Sequence, residues 1–147
     1  MKTHKVADWM TTELVTVEPG TTLPEATALM RAQHIRRLPV VEDGRLVGIV
    51  TYGDLREAGP SEATGLSIHE ITYLLQRLGV EKLMTKKPFT VTPDTALTEA
   101  ARLMLQHKIG ALPVVADGAL VGIITESDIF RAFMRLLDTE PVAVAAV

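Results

Sequence analysis

Two stretches decide the architecture: LPVVEDGRLVGIVT, Leu38 to Thr51, and LPVVADGALVGIIT, Leu112 to Thr125. Each is a short apolar run, an Asp-Gly pair and a second apolar run ending in Thr. Asp-Gly between β-rich runs is a strong hairpin signal, because both turn residues must accept a positive φ. Pro39 and Pro113 stand near the start of the first run, where a missing N–H is tolerated. Working outward, the match between the two stretches extends without a gap from Val6–Ala58 to Val80–Ala132, and about half of the aligned positions are identical. The repeat therefore organises the chain. Two copies are too few for a solenoid and suit a pseudo-two-fold pair.

Each copy carries the same series of signals. VADWM or VEKLM reads as a short helical turn, and a small strand is expected around Val15–Val17 or Phe89–Val91, followed by a Pro-containing turn. A helix comes next. Leu23, Ala26 and Met30 share one face in the first copy, and Leu97, Ala100, Ala101 and Met104 do so in the second. Thr22 and Glu25 have capping-box spacing. The hairpin follows, and a last helix opens near Thr51 or Thr125. The expected fold class is α+β: two pseudo-symmetric βαββα-like repeats, each a small sheet packed on two helices. The expected limits are 6–58 for repeat one, 59–79 for a linker with a short helix, 80–134 for repeat two and 135–147 for a tail. In the linker, AGPSEATG is loop chemistry. Ser67 and Glu70 repeat the capping-box spacing, and Ile68, Ile71, Leu74, Leu75 and Leu78 give an apolar stripe. The small apolar tail DTEPVAVAAV is expected to fray or to pack on a neighbour.

Composition narrows the function classes. The 147 residues are 47% hydrophobic and 22% charged, with a net charge of −3 and no cysteine. That is ordinary globular chemistry for one domain, with roughly 68–70% of the unfolded surface buried at this length. Without a basic excess, nucleic acid is not an expected partner. Disulfides and thiolate metal sites are excluded. No apolar run reaches the ~20 residues of a membrane span, and Met1 to Asp8 are too polar and short for a signal peptide, so a cytoplasmic location is expected. His4, His34, His69 and His107 show no metal-ligand spacing, and no G-x-S-x-G, Walker or GxGxxG motif occurs. No metal site and no catalytic residues are expected.

The motifs resemble those of the cystathionine β-synthase (CBS) domain in tandem. They are Met-Thr before a short strand, the hhPVV strand, DGxLVGIhT, and Thr-x-x-Asp at the last helix, twice in one order at one spacing. The resemblance covers all but the linker helix and the tail. It implies a stand-alone pair that binds an adenosine-containing ligand (AMP, ADP, ATP or S-adenosylmethionine) between its repeats and forms a homodimer. It implies a regulatory sensor read by an unidentified protein, not an enzyme. The alternative is a constitutive dimerisation scaffold without a physiological ligand.

Candidate site residues follow from the motif positions. Thr51, Asp54, Thr125 and Asp128 form the two Thr-x-x-Asp pairs. A Thr followed three residues later by an acid is a helix start in its own right. The resemblance makes the aspartates ribose acceptors as well. Arg36 and Arg37 precede the LPVV strand, where the family contacts phosphate, and Arg supplies paired donors for it. The second copy has Gly110 and Ala111 there, and Arg31 and Arg45 become Leu105 and Ala119. Thr11, Thr16, Thr85 and Thr90 flank the strand that lines the family's adenine pocket, though β-propensity and turn capping account for them equally; Ile35, Ile109, Val15 and Phe89 are candidates either to cover the base or to fill the core. Cross-repeat pairing, typical of the family, joins Thr125 and Asp128 to Thr11, Thr16, Ile35 and Arg36, and Thr51 and Asp54 to Thr85, Thr90, Ile109 and Gly110. The sequence leaves same-repeat pairing open.

Overall fold

The structure is a computed structural model that describes residues 4–58 and 67–138. Most of the AGPSEATG loop and residues 139–147 of the expected tail lie outside them, whereas residues 135–138, expected in the tail, still belong to the last helix. The first hairpin pairs β1 (Arg37–Glu42) with β2 (Arg45–Thr51), and the second pairs β4 (Ala111–Ala116) with β5 (Ala119–Thr125). The turns have the expected chemistry: Asp43 and Gly44 sit at φ 52° and 78°, Asp117 and Gly118 at 52° and 81°. The helices are α1 (Leu23–Gln33), α2 (Tyr52–Glu57), α3 (Ile68–Arg77), α4 (Leu97–His107) and α5 (Glu126–Asp138).

Capping starts α1 as the sequence implies. The Thr22 hydroxyl accepts the Glu25 N–H, and the Glu25 carboxylate accepts the Thr22 N–H. Leu23, Ala26 and Met30 then face the core, as do Leu97, Ala100 and Met104 of α4, with Ala101 half-buried. Helices α1 and α4 stop alike. His34 and Lys108 both take the left-handed conformation, at φ 54°, and turn the chain into the next strand. At α3 the expectation is met in part. Ser67 accepts the Glu70 N–H at 3.2 Å, which is one half of a capping box. Leu75 packs against the core, but Leu74 is 54% exposed, so the apolar stripe is only partly used.

The strands expected at Val15–Val17 and Phe89–Val91 are not formed as strands. Each contracts to one parallel bridge, Val17 to Val40 and Val91 to Val114. Val17 donates to the Pro39 carbonyl and accepts from Val41, and Val91 does the same with Pro113 and Val115. The physical reason is proline on both sides of the bridge: in this register Pro39 and Pro113 would have to donate to the Val15 and Phe89 carbonyls, and Pro19 and Pro93 to the Val41 and Val115 carbonyls, and none of them has an N–H.

The residues gather into two compact units whose limits are not those of the sequence repeats. One comprises Val15–Pro88 with Gly118–Leu120; the other comprises Met1–Leu14, Phe89–Asp117 and Val121–Val147. They are called here the Asp54 unit and the Asp128 unit. Each unit takes in the leading segment of the other repeat. In the Asp54 unit a 3-10 turn (Val80–Lys82) hydrogen bonds to Thr21 and Pro19, and β3 (Thr85–Lys86) adds a third strand to β2, with Gly48 opposite Lys86 and Ile49 opposite Thr85. In the Asp128 unit the turn Val6–Asp8 bonds to Thr95 and Pro93, and Thr11 exchanges both backbone hydrogen bonds with Ile123 of β5. Val80 and Val6 are 0% exposed and belong to the hydrophobic cores of their host units. Burying a valine fully contributes roughly 1.5–3 kcal/mol, so each loan is a core contribution.

Glycine makes the loan possible. A Cβ on Gly48 would lie 2.5 Å from the Met84 sulfur and 2.9 Å from the Thr85 carbonyl oxygen. On Gly122 it would lie 2.7 Å from the Met10 sulfur and 3.1 Å from the Thr11 carbonyl oxygen. The Met of each leading segment thus lies over the bare glycine of the return strand, which ties the Met-Thr motif to the Gly of LVGI.

Candidate functional site

The site elements meet where the return strand hands over to the last helix. At α2, Thr51 caps: its hydroxyl accepts the Asp54 N–H at 3.1 Å, and Asp54 Oδ2 accepts the Thr51 N–H at 2.8 Å. The next residue links this corner to the start of β1, since the Tyr52 N–H donates to the Arg36 carbonyl at 2.7 Å. The second copy repeats the corner. Asp128 Oδ2 accepts the Thr125 N–H at 2.9 Å and lies 3.1 Å from its hydroxyl, and the Glu126 N–H donates to the Gly110 carbonyl at 3.0 Å.

The two carboxylates are nevertheless unlike. Asp128 is buried, its side chain 3% exposed, and its Oδ1 accepts from Arg131 at 2.6 Å. Both of its oxygens are engaged. Asp54 is half-buried, and among the described residues its Oδ1 has no partner. The residue three beyond Asp54 is Glu57, an exposed anion where the other copy has Arg131. The aspartates therefore have a capping role in this structure, and Asp54 keeps one oxygen available for a further donor.

A concavity of about 450 Å³ is lined by Met30, Arg31, His34, Ile35, Arg36 and Tyr52; Tyr52 is its one residue from the β2–α2 corner, and neither Thr51 nor Asp54 lines it. Arg31, His34 and Arg36 are exposed and form no ion pair among the described residues. Arg37 is half-buried in β1, opposite Thr51 of β2. Neither Arg36 nor Arg37 pairs with Glu42 or Asp43. The structure thus joins Ile35 and Arg36 to Tyr52 of their own repeat, and Thr85, from the other repeat, to the strand that ends in Thr51. Thr16 opens on a different concavity, of about 490 Å³, with Glu18, Thr21, Glu25 and Asp43.

In the Asp128 unit, Thr11 pairs with Ile123, two residues before Thr125. Ile109 packs against the hydrophobic core and Gly110 is half-buried. Thr90 is exposed, next to Phe89, whose ring stacks on His107 with centroids 3.9 Å apart. Sequence reasoning gave no site role to Arg31, His34, Tyr52 or Arg131. Arg131 had a signal, the i, i+3 spacing from Asp128 on one helix face. His34 had none, because its place depends on the left-handed turn that ends α1.

A family model for the CBS domain matches residues 6–61 and again residues 80–135. The chain belongs to the CBS domain family and carries two copies. A CBS domain-containing protein of Dictyostelium discoideum is 35% identical over 138 residues, covering 92% of this chain and 95% of that one. Among solved structures, CBSX2 of Arabidopsis thaliana in complex with AMP superposes with a TM-score of 0.76 at 35% identity, over 91% of this chain and 98% of that one. The CBS domain pair of protein MJ0100, in complex with 5′-methylthioadenosine and S-adenosyl-L-methionine, also gives a TM-score of 0.76, at 27% identity over 92% and 99% of the two chains. Some curated relatives are much longer, and of an inosine-5′-monophosphate dehydrogenase from Korarchaeum cryptofilum this chain covers only 22%. Among the described residues no helix is long and apolar enough to cross a membrane.

Proposed function

We propose that this CBS pair is a regulatory module, not an enzyme, that binds adenosine-containing ligands at its two Thr-x-x-Asp corners. The observation that carries the proposal is the Asp54 corner. A carboxylate fixed at a helix start keeps one oxygen without a partner among the described residues, and Tyr52, two residues before it, lines a concavity with Arg31, His34 and Arg36 over Met30 and Ile35. A carboxylate oxygen accepts a charge-assisted hydrogen bond from a ribose hydroxyl, and neighbouring arginines suit phosphate. The ligands named for CBSX2 and the MJ0100 pair share the adenosine group, which supports the same chemistry here. Binding regulates only if it favours one conformation over another.

A homodimer belongs to the same proposal. On α5, Phe130, Phe133, Met134 and Leu137 are 64%, 58%, 56% and 50% exposed. A run of large apolar side chains at helical spacing marks an interaction surface, and a closed two-fold pair is the commonest way to cover one. The same face is what a scaffold without a ligand would need. Thermal unfolding with AMP, ATP, adenosine and S-adenosylmethionine separates the two. A ligand at 100 times its Kd stabilises by about 2.7 kcal/mol. A dimer that responds to none of the four is a scaffold, and the sensor proposal then fails.

A further inference from the structure

We propose that Arg131 is an internal competitor for the ligand at the Asp128 corner: its guanidinium holds the carboxylate oxygen that a ribose hydroxyl would need. The Asp54 corner then fills first, and the Asp128 corner fills only when Arg131 is displaced. This rests on the adenosine-binding proposal above and assigns the order of occupancy within it.

The two corners share one backbone design and differ in their donors. At Asp54, Oδ2 accepts the Thr51 N–H, and Oδ1 has no donor among the described residues. At Asp128, Oδ2 accepts the Thr125 N–H and lies 3.1 Å from the Thr125 hydroxyl, while Oδ1 accepts from Arg131 at 2.6 Å. A contact this short between opposite charges is a strong hydrogen bond. Each oxygen of Asp128 thus has a donor before any ligand arrives. Asp128 is also the only buried charged residue among those described, its side chain 3% exposed. A buried carboxylate that loses its cation is left uncompensated, and the neutral hydroxyls of a ribose do not replace that charge.

Arg131 is nevertheless placed to move. Its side chain is 62% exposed, and the pair is held together by the i, i+3 spacing on α5. Once released, the guanidinium stands one turn before Met134 and Arg135, and Met134 is 56% exposed. Filling the second corner therefore frees a cation next to the exposed apolar stripe of α5, where a bound neighbour would sense it. The first copy has no such device. Glu57, three residues beyond Asp54, is an exposed anion. Arg56 is two residues beyond, a spacing that turns it off the Asp54 face of the helix.

Calorimetric titration of the full chain with adenosine, an uncharged probe, tests the order. In the Asp54→Asn chain the remaining binding reports Asp128. An ion pair with one exposed member contributes up to about fivefold in an equilibrium constant. Adding Arg131→Met to that chain should therefore tighten adenosine by up to about fivefold. Salt should tighten it as well, because the competitor is charged and the probe is not; the Asp128→Asn chain should show no such trend. Adding Glu57→Arg to the Asp128→Asn chain installs a competitor at the other corner and should weaken adenosine by a similar factor. Adenosine binding that Arg131→Met leaves unchanged or weakens would overturn the proposal and leave the adenosine reading standing. If no variant binds adenosine, that reading fails, and the Arg131 side-chain N–H resonance decides the contact by itself. Hydrogen exchange slower than at Arg135, and released in Asp128→Asn, sustains a closed corner; exchange as fast as at Arg135 refutes it.

Discussion

Replacing Gly48 with alanine tests the loan of segments directly. The added methyl would lie 2.5 Å from the Met84 sulfur, 2.9 Å from Met84 Cγ and 2.9 Å from the Thr85 carbonyl oxygen. Non-bonded carbon contacts are optimal near ~3.5–4.0 Å, so the overlap is roughly 1 Å. The Met84 side chain can rotate away at modest cost. The Thr85 carbonyl cannot, because Thr85 is held in register opposite Ile49. The strand must shift, and overpacking of this kind costs about 1–3 kcal/mol. Taking about 2 kcal/mol, Tm should fall by roughly 4–8 °C for a chain of this size. Urea unfolding measures the loss, and hydrogen exchange at β3 shows where it falls. Gly53→Ala is the control. Its Cβ would meet only the Thr51 hydroxyl oxygen at 3.6 Å, an ordinary contact on a helix, and should be neutral or stabilising by about 0.5 kcal/mol. Trimming the obstacle gives a second check, since Met84→Ala should recover part of the loss in the double variant. Gly48→Ala with parental stability and a fully protected β3 would refute the reasoning.

Arg131→Met should destabilise by about 1 kcal/mol, the upper range for charged bonds being discounted because the arginine is 62% exposed. Glu57→Met, at the matching position, should change stability by less than about 0.5 kcal/mol, and denaturant midpoints for the two report the contrast. Lys108→Gly should stabilise by about 0.5–1 kcal/mol, because its left-handed φ of 54° suits glycine better than lysine; a lower Tm would show that lysine contacts outweigh the strain. Phe133→Asp puts a charge in the exposed apolar face of α5 and should yield monomers by light scattering at tens of micromolar, whereas an unaltered dimer would place the interface elsewhere.

Much of each repeat was legible because its signals are local. Asp43-Gly44 and Asp117-Gly118 name their own turn geometry, and Thr22-x-x-Glu25 and Thr51-x-x-Asp54 name their own caps. The exchange of leading segments was not legible in that way. Val6 and Val80 carry the same apolar signal whichever core they enter, so no residue pattern tells a segment which sheet to join. The overestimate of the strands at Val15–Val17 and Phe89–Val91 has a related origin: β-propensity reports extended backbone, whereas ladder length depends on a partner the sequence does not name. At the candidate site, residue types were informative and neighbourhoods were not. Arg36 was visible as a phosphate candidate, but its companionship with Arg31, His34 and Tyr52 arises from the α1 cap and the β2–α2 corner. The unlike states of Asp54 and Asp128 turn on Glu57 and Arg131, a difference present in the sequence that becomes meaningful once Asp128 is known to be buried.

The loan of segments bears on how such a chain can be cut or joined. A gene fragment ending before Val80 would encode a first repeat whose β2 lacks its neighbour β3 and whose core lacks Val80, while its own Val6 would have no host. Two copies of such a fragment could each supply what the other is missing, in the manner of a domain-swapped pair. Fusion of two repeats makes that trade intramolecular and holds the lender at a high effective concentration. On this view the divisible parts of the protein are not its repeats. A graft that is to stand by itself must carry Val15–Pro88 together, across the boundary that the sequence draws.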